Sequence, residues 1–119
     1  MPTKDEHINQ ALRNEALAER LDTSLNPTQE WRVTLLFYAA LHWVEAYLSD
    51  IGIGERTHTQ RRKQIAELPQ LSDLYHNYHQ LQRESENARY DCKAFGEPDV
   101  LGIRDSHYHP VKQHIQTLL

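Results

Sequence analysis

The segment RDSHYHP, residues 104–110, holds residue types that can do chemistry together. Arg104 stands five positions before His109, and Pro110 follows at once. A histidine side chain exchanges protons near neutral pH, and an arginine side chain stabilises negative charge that develops in a reaction. The segment therefore poses two alternatives: a catalytic pair, or a polar loop that contains both residues by chance.

A second group of polar residues interrupts the apolar segment WRVTLLFYAALHWVEAYL. Spacings of 4, 3 and 4 residues put its members on one face of the expected helix: Tyr38, His42, Glu45 and Ser49. A buried carboxylate beside an imidazole must be paired or neutralised. Two interpretations stay open. Either His42 and Glu45 form a structural pair or a face turned to solvent or to a partner subunit, or Glu45 raises the pKa of His42 or orients its ring in a functional pocket.

Two later segments carry further basic and polar residues. ERTHTQRRK is the densest basic run of the chain and places His58 and Arg61 one helical turn apart. In QRESENARYDC, Ser85 and Arg89 stand four residues apart on one helix face, with Tyr90 beside them. Arginine offers a planar fork of donors that fits a phosphate group. Each run is either an ordinary solvated or ion-paired helix face, or part of a phosphate-binding site.

Segments with helical periodicity must position these residues. The sequence predicts one helix over residues 4 to about 22 and a second over about 28–49, with Thr28 as its N-cap. A third helix, HTQRRKQIAEL, is predicted with Thr57 as its N-cap. The second helix is apolar around most of its circumference and is expected to be central. No segment alternates convincingly with a period of two residues, so strands are not expected.

The fourth predicted helix runs over residues 71 to about 95. Along it, a stripe of mostly apolar residues recurs at alternating spacings of 4 and 3 residues. That stripe consists of Leu74, Tyr78, Leu81, Ser85, Ala88, Cys92 and Phe95. It predicts that Cys92 lies in the core, and GEPD after it is expected to be a turn. Because proline suits the first helical position, the last helix is expected to begin near Pro110, with His109 as N-cap and Arg104 on the preceding loop. The predicted fold class is all-α, an antiparallel four-helix bundle with a short C-terminal fifth helix.

Composition bounds the class of protein. The length of 119 residues fits a single domain over residues 1–119, and 39% hydrophobic residues fit an ordered globular chain. A formal net charge of −4 gives no global basic field, so RNA contact needs a local patch or a surface shared across an oligomer. One cysteine cannot form an internal disulfide. With no recognisable signal peptide and no apolar run long enough to cross a bilayer, a cytoplasmic protein without membrane contact is expected.

Three segments, taken in order, resemble the HEPN superfamily of small all-α proteins. They are FYAALHWVEAYL, THTQRR and LYHNYHQLQRESENARYD, and the resemblance covers roughly residues 28–95. The positions that carry it are Tyr38, Ala39, Ala40, His42, His58, Arg61, Tyr78, Leu81, Ser85, Ala88, Arg89 and Tyr90. The resemblance implies a HEPN-like helical bundle. It also implies a homodimer that belongs to a prokaryotic toxin–antitoxin or antiviral defence system.

Active members of this superfamily are metal-independent endoribonucleases with an arginine a few residues before a histidine, near the start of the last helix. By this resemblance, His109 takes a proton from the ribose 2′-OH and Arg104 stabilises the charge on the phosphorus oxygens. The implied partners are RNA, a second copy of the chain and an antitoxin or defence-system protein, and no cofactor or metal is implied. The remaining candidate site residues, for RNA or phosphate binding, are His42, Glu45, His58, Arg61, Ser85, Arg89 and Tyr90.

Whether the chain is an enzyme stays open, and two other function classes are consistent with the sequence. One is a non-catalytic HEPN-like dimerisation or interaction module, in which the polar edge of the fourth helix and the His42–Glu45 face dock a partner. The other is a metal-dependent helical-bundle enzyme. Its ligands would come from the histidine-rich segments, that is, from His76, His79, His107, His109 and His114.

Overall fold

The computed structural model describes residues 2–24, 26–54 and 56–119. These residues form six α-helices: α1 Lys4–Arg20, α2 Asn26–Asp50, α3 His58–Glu67, α4 Tyr75–Tyr90, α5 Glu97–Ile103 and α6 His109–Leu118. A short 3-10 helix, Ser72–Leu74, precedes α4, and a π-helical turn, Arg104–Tyr108, joins α5 to α6. The described ranges contain no strand, which confirms the all-α fold class. None of these helices is both long and apolar enough to cross a membrane.

The helix α2 occupies the centre of the fold, as its apolar circumference predicts. It packs against α1, α4, α5 and α6. Its buried side chains include Val33, Phe37, Val44 and Leu48, and the Phe37 ring meets the ring of Tyr78 from α4 edge-on at 5.7 Å. Burying a side chain of this size favours folding by about 1.5–3 kcal/mol. The polar residues on α2 are therefore held on a helix whose position is set by packing on several sides.

The predicted N-cap of α3 is confirmed, and the predicted N-cap of α2 is not. Thr57 caps α3 as predicted: its Oγ accepts from the Gln60 N–H at 3.2 Å, and the Gln60 side chain accepts from the Thr57 N–H at 3.0 Å. The prediction that Thr28 caps α2 is wrong, because the helix begins at Asn26 and Thr28 lies in its first turn. An N-cap residue precedes the first helical residue, so Thr28, two positions inside the helix, cannot have that role.

The helix α4 is shorter than the sequence predicts. It ends at Tyr90, where Cys92 takes a left-handed conformation with φ of 55° and the Lys93 N–H donates to the Asn87 carbonyl at 3.3 Å. The chain therefore leaves the helical path before the predicted seam reaches Cys92. The prediction that Cys92 lies in the core is wrong, since its side chain is exposed. Phe95 is nevertheless buried, because the chain after the helix folds back onto the core.

The C-terminal helical segment begins at Glu97, well before Pro110. Gly96 is the N-cap residue, its N–H donates to Asp99 Oδ2 at 2.8 Å, and Pro98 lies in the first turn. GEPD, predicted as a turn, thus contains the start of a helix. Pro110 lies inside the helical path, directly after the π-helical turn in which the His109 N–H donates to the Arg104 carbonyl. A wide turn is one way for a helix to accommodate a residue that lacks an N–H.

Candidate functional site

Arg89 on α4 is the centre of a polar cluster between α2 and α4. Its Nη1 donates to the Tyr38 hydroxyl at 2.7 Å, and its Nη2 donates to Oγ of Ser85 at 3.3 Å. The rings of Tyr38 and Tyr90 are centred 5.3 Å and 5.2 Å from its guanidinium carbon, within the range of cation–π attraction. All of these partners are neutral, and Nε is buried with no acceptor among the described residues. The cluster therefore holds the guanidinium in place without neutralising its charge.

A pocket of about 300 Å³ opens beside this guanidinium, and we call it the phosphate pocket after the ligand proposed below. It is lined by Tyr38, His58, Gln82, Glu86, Arg89, Tyr90 and Asp91. The Gln82 side chain is buried, and its Nε2 donates to Glu86 Oε1 at 3.2 Å, while its Oε1 has no donor among the described residues. The pocket thus brings a hydroxyl, an imidazole and a guanidinium to one place, together with two carboxylates, of which Glu86 accepts from the neighbouring Gln82 amide.

His58 begins α3 and faces the phosphate pocket in its neutral form. Arg61 Nη1 lies 3.3 Å from His58 Nδ1, and since arginine can only donate, the Nδ1 accepts and the ring proton stays on Nε2. Burial lowers the pKa of His58, and the charges of Arg61, Arg89 and Arg62 lower it further, while Glu86 raises it. The dominance of cations over the single carboxylate indicates a positive local potential at the imidazole.

Arg61 fixes α3 to α2 through a buried salt bridge. Its Nε donates to Glu45 Oε1 at 2.6 Å, with the two side chains 7% and 4% exposed, and its Nη2 donates to the Arg56 carbonyl at 2.7 Å. The buried carboxylate of α2 is thus neutralised from another helix rather than by His42. Arg61 thereby connects the core of the protein to the His58 imidazole.

His42 forms its hydrogen bond with a different helix. Its Nδ1 lies 3.0 Å from Nδ1 of His7 on α1, so one of the two rings donates and the other accepts. Burial lowers the pKa of His42 to about 4, and the charges of His7, Arg61 and Arg13 act in the same direction. The hypothesis that Glu45 raises the pKa of His42 is wrong, because Glu45 is paired with Arg61 and the pKa falls.

The stability of the protein should therefore decrease in mild acid. Because the folded state lowers the His42 pKa from 6.5 to about 4, the unfolded chain binds the proton first, and unfolding is favoured as the pH falls through this interval. Water screens a half-buried ring, so we expect a loss of about 1–2 kcal/mol. Urea unfolding between about pH 7 and pH 4 measures it. His42→Gln should flatten this part of the profile, and His79→Gln, at a partly exposed position of α4, should not. An unchanged slope in His42→Gln would contradict the assignment.

The π-helical turn places Arg104 and His109 on a common side of the C-terminal helix. Arg104 Nε donates to Asp105 Oδ1 at 2.9 Å, and His109 Nδ1 lies 3.6 Å from the same oxygen. The prediction that Arg104 lies on a loop and that His109 is an N-cap is wrong, because both belong to the continuous helical segment that starts at Glu97. The pair is therefore better ordered than the position of Pro110 suggests.

The Arg104–His109 pair is in direct contact with carboxylates, whereas the hydrogen-bond partners of Arg89 are neutral. Arg104 Nη1 lies 3.3 Å from Glu19 Oε1 on α1, so its guanidinium is shared between Asp105 and Glu19. Nearby, Glu15 accepts from the Tyr108 hydroxyl and lies 2.9 Å from Lys112 Nζ. Neither Arg104 nor His109 lines the phosphate pocket. These two groups of candidate residues are thus separate sites on the chain, held by different helices.

Most of the candidate binding residues lie in or next to the phosphate pocket. They are His58, Arg61, Ser85, Arg89 and Tyr90. The sequence patterns do not single out Glu86, His7 or Glu19. Glu86 does stand one helical turn before Arg89, a spacing that makes the two neighbours on the helix surface. No local signal identifies His7 as the partner of His42 or Glu19 as the partner of Arg104, because each pair joins separate helices.

Three of the histidines proposed as metal ligands have other polar partners. His107 Nδ1 bonds with Asn77 Oδ1 at 2.9 Å, His114 Nε2 donates to the Gln70 carbonyl at 2.7 Å, and His109 faces Asp105. In the described part of the chain, no three His, Cys, Asp or Glu side chains converge on a point that could hold a metal ion. This geometry does not support the metal-dependent alternative.

Comparison with known proteins assigns no class to this arrangement. The chain matches no protein-family model, no curated protein and no solved structure.

Proposed function

We propose that the protein is a HEPN-type RNA-binding protein, an antiparallel helical bundle whose phosphate pocket grips the RNA backbone. The observation that carries this proposal is the state of Arg89. Its guanidinium is held by two neutral hydroxyls and retains its positive charge beside a pocket large enough for an anion. Nη1 and Nη2 each use one N–H within the chain and Nε is buried, which leaves the second N–H of each Nη for a phosphate.

His58 supports binding of the same anion. Because Arg61 occupies Nδ1, the neutral imidazole presents its Nε2–H as a donor. A phosphate oxygen accepts hydrogen bonds, and the surrounding arginines add attraction. With its lone pair already engaged, His58 is a binding group in this state and not a general base.

Replacing Arg89 by alanine should weaken binding of a single-stranded RNA by about 10- to 100-fold, since hydrogen bonds to a charged group are lost. Fluorescence anisotropy over a series of salt concentrations measures this. The plot of log association constant against log salt concentration has a negative slope, and that slope should become less steep by about 0.7. Arg83→Ala removes an equal charge from an exposed position of α4 and is the matched control. An Arg89→Ala variant that binds like the wild type contradicts the proposal. A wild type that does not bind RNA favours the interaction module instead.

Cleavage is a second candidate function, favoured by the π-helical turn. This turn aligns Arg104 with His109, and Asp105 lies between them. In this function His109 removes the ribose proton and Arg104 stabilises the charge on phosphorus, without a metal. A homodimer and a partner protein of a defence or toxin–antitoxin system complete the proposal, and both come from the resemblance.

A further inference from the structure

A second pocket, of about 300 Å³, lies between the first turns of α2 and the end of α4, and we call it the aromatic pocket. Two large aromatic side chains on its wall face solvent, Trp31 at 60% exposed and Tyr90 at 73% exposed. The chain's other tryptophan, Trp43, is 3% exposed. Because aromatic side chains favour folding when they are buried, two exposed ones on the same pocket indicate a surface for a ligand.

Arg89 joins the aromatic pocket to the phosphate pocket. Arg89 and Tyr90 line both, and the guanidinium carbon lies 5.2 Å from the centre of the Tyr90 ring. A ligand that occupies both pockets must carry a negative charge directly beside a flat ring. A nucleotide unit has this construction, whereas an apolar peptide segment places no anion at the guanidinium.

We propose that the aromatic pocket binds one unpaired nucleobase, stacked against both Trp31 and Tyr90, while the neighbouring phosphate lies at Arg89. This inference rests on the proposed function and gives it a base-binding subsite for single-stranded RNA. The volume is at the lower end of the roughly 300–1,000 Å³ of ligand sites, which suits one base. Bases within a duplex are stacked on each other, so only a single-stranded segment can release a base to the pocket.

Glu30 and Thr34 indicate which base edge fits best. Both line the pocket, and the Thr34 hydroxyl donates its hydrogen to the Glu30 carbonyl at 3.1 Å. The threonine oxygen and the Glu30 carboxylate oxygens therefore act as acceptors. Guanine presents two adjacent donors, its N1–H and its 2-amino group, whereas uracil has a single N–H between two carbonyls. We expect guanine to be preferred over uracil at this position.

Affinity measurements with matched strands test the inference. The probes are a short single-stranded RNA that contains guanine, the same strand with an abasic ribose at the guanine, and guanosine monophosphate. Trp31→Ala and Tyr90→Ala should each weaken binding of the intact strand by roughly 5- to 150-fold, the range for loss of one base–aromatic stack. The abasic strand should bind the wild type and Trp31→Ala equally. Trp31→Phe should retain most of the affinity, and Glu30→Gln should reduce the preference for guanine.

The outcomes separate this inference from the proposed function. If intact and abasic strands bind the wild type equally and Arg89→Ala weakens both, the phosphate pocket stands and the base pocket is overturned. If no strand binds, the proposed function fails first. If guanosine monophosphate binds as tightly as the strand, the ligand is a free nucleotide, and the assignment to single-stranded RNA is overturned. A Trp31→Ala variant with unchanged RNA affinity overturns the stacking role even if Arg89→Ala is impaired.

Discussion

Arg61→Ala should lower the free energy of unfolding by about 3–5 kcal/mol, because it leaves a buried carboxylate without its partner. Arg61 Nε and Glu45 Oε1 are 2.6 Å apart, and both side chains are almost fully removed from water. The variant also removes the hydrogen bond to the Arg56 carbonyl. An uncompensated charge at Glu45 must either remain in a poor environment or take up a proton, and both destabilise the folded state.

Urea unfolding of the single and double variants measures this cost. Lys63→Ala is the control, since the Lys63 Nζ to Glu67 Oε1 pair on the same helix is 4.0 Å apart, with side chains 74% and 61% exposed. It should change the stability by less than about 1 kcal/mol. Combining Arg61→Met with Glu45→Gln should restore part of the stability, because no buried charge is then left alone. A loss below about 1 kcal/mol in Arg61→Ala would contradict the role of this pair.

His109→Ala should lower the rate of RNA cleavage by about 10²- to 10⁴-fold if the Arg104–His109 pair is catalytic, the effect of removing a general base. Arg104→Ala should lower it by about 10²- to 10³-fold through loss of charge stabilisation at phosphorus. Both residues lie on an exposed or partly exposed helical surface, so the fold should tolerate either change. The activity should also persist in a chelator, because the proposed mechanism uses side chains alone.

Single-turnover cleavage of a labelled single-stranded RNA measures both rates, with thermal unfolding as the check of folding. His114→Ala is the control, since His114 lies on the same helix and bonds with the Gln70 carbonyl. Undiminished cleavage by His109→Ala and Arg104→Ala excludes the pair from catalysis. If His58→Ala abolishes cleavage instead, the reaction takes place in the phosphate pocket, and the neutral donor role of His58 is wrong.

Local sequence patterns predicted the helices that carry the Arg89 cluster. The stripe of the predicted fourth helix placed Leu74, Tyr78, Leu81, Ser85 and Ala88 on one face, and all five are buried. Such periodicity follows from 3.6 residues per turn and needs no knowledge of the rest of the chain. The same pattern gave a wrong prediction at Cys92. The backbone there takes a left-handed conformation after the helix has ended, and the spacing of apolar residues carries no information about where a helix ends.

The two prolines show why the last helix was misplaced. Pro98 and Pro110 both suit the first turn of a helix, and the sequence offers no local reason to prefer one. The structure starts the helix around Pro98, capped by Gly96 and Asp99, and passes Pro110 after a π-helical turn. This choice depends on how α5 and α6 pack against α2, and it moves Arg104 from a predicted loop onto a helix.

The sequence by itself determined the helical class, the central helix, the cap at Thr57 and the residue types available for chemistry, because these depend on neighbours within one or two helical turns. Only the tertiary structure decided the partners. Glu45 pairs with Arg61 rather than His42, and Arg89 reaches Tyr38 from 51 positions away. Helical periodicity tells which face a side chain is on, but what lies opposite that face is set by the packing of separate helices.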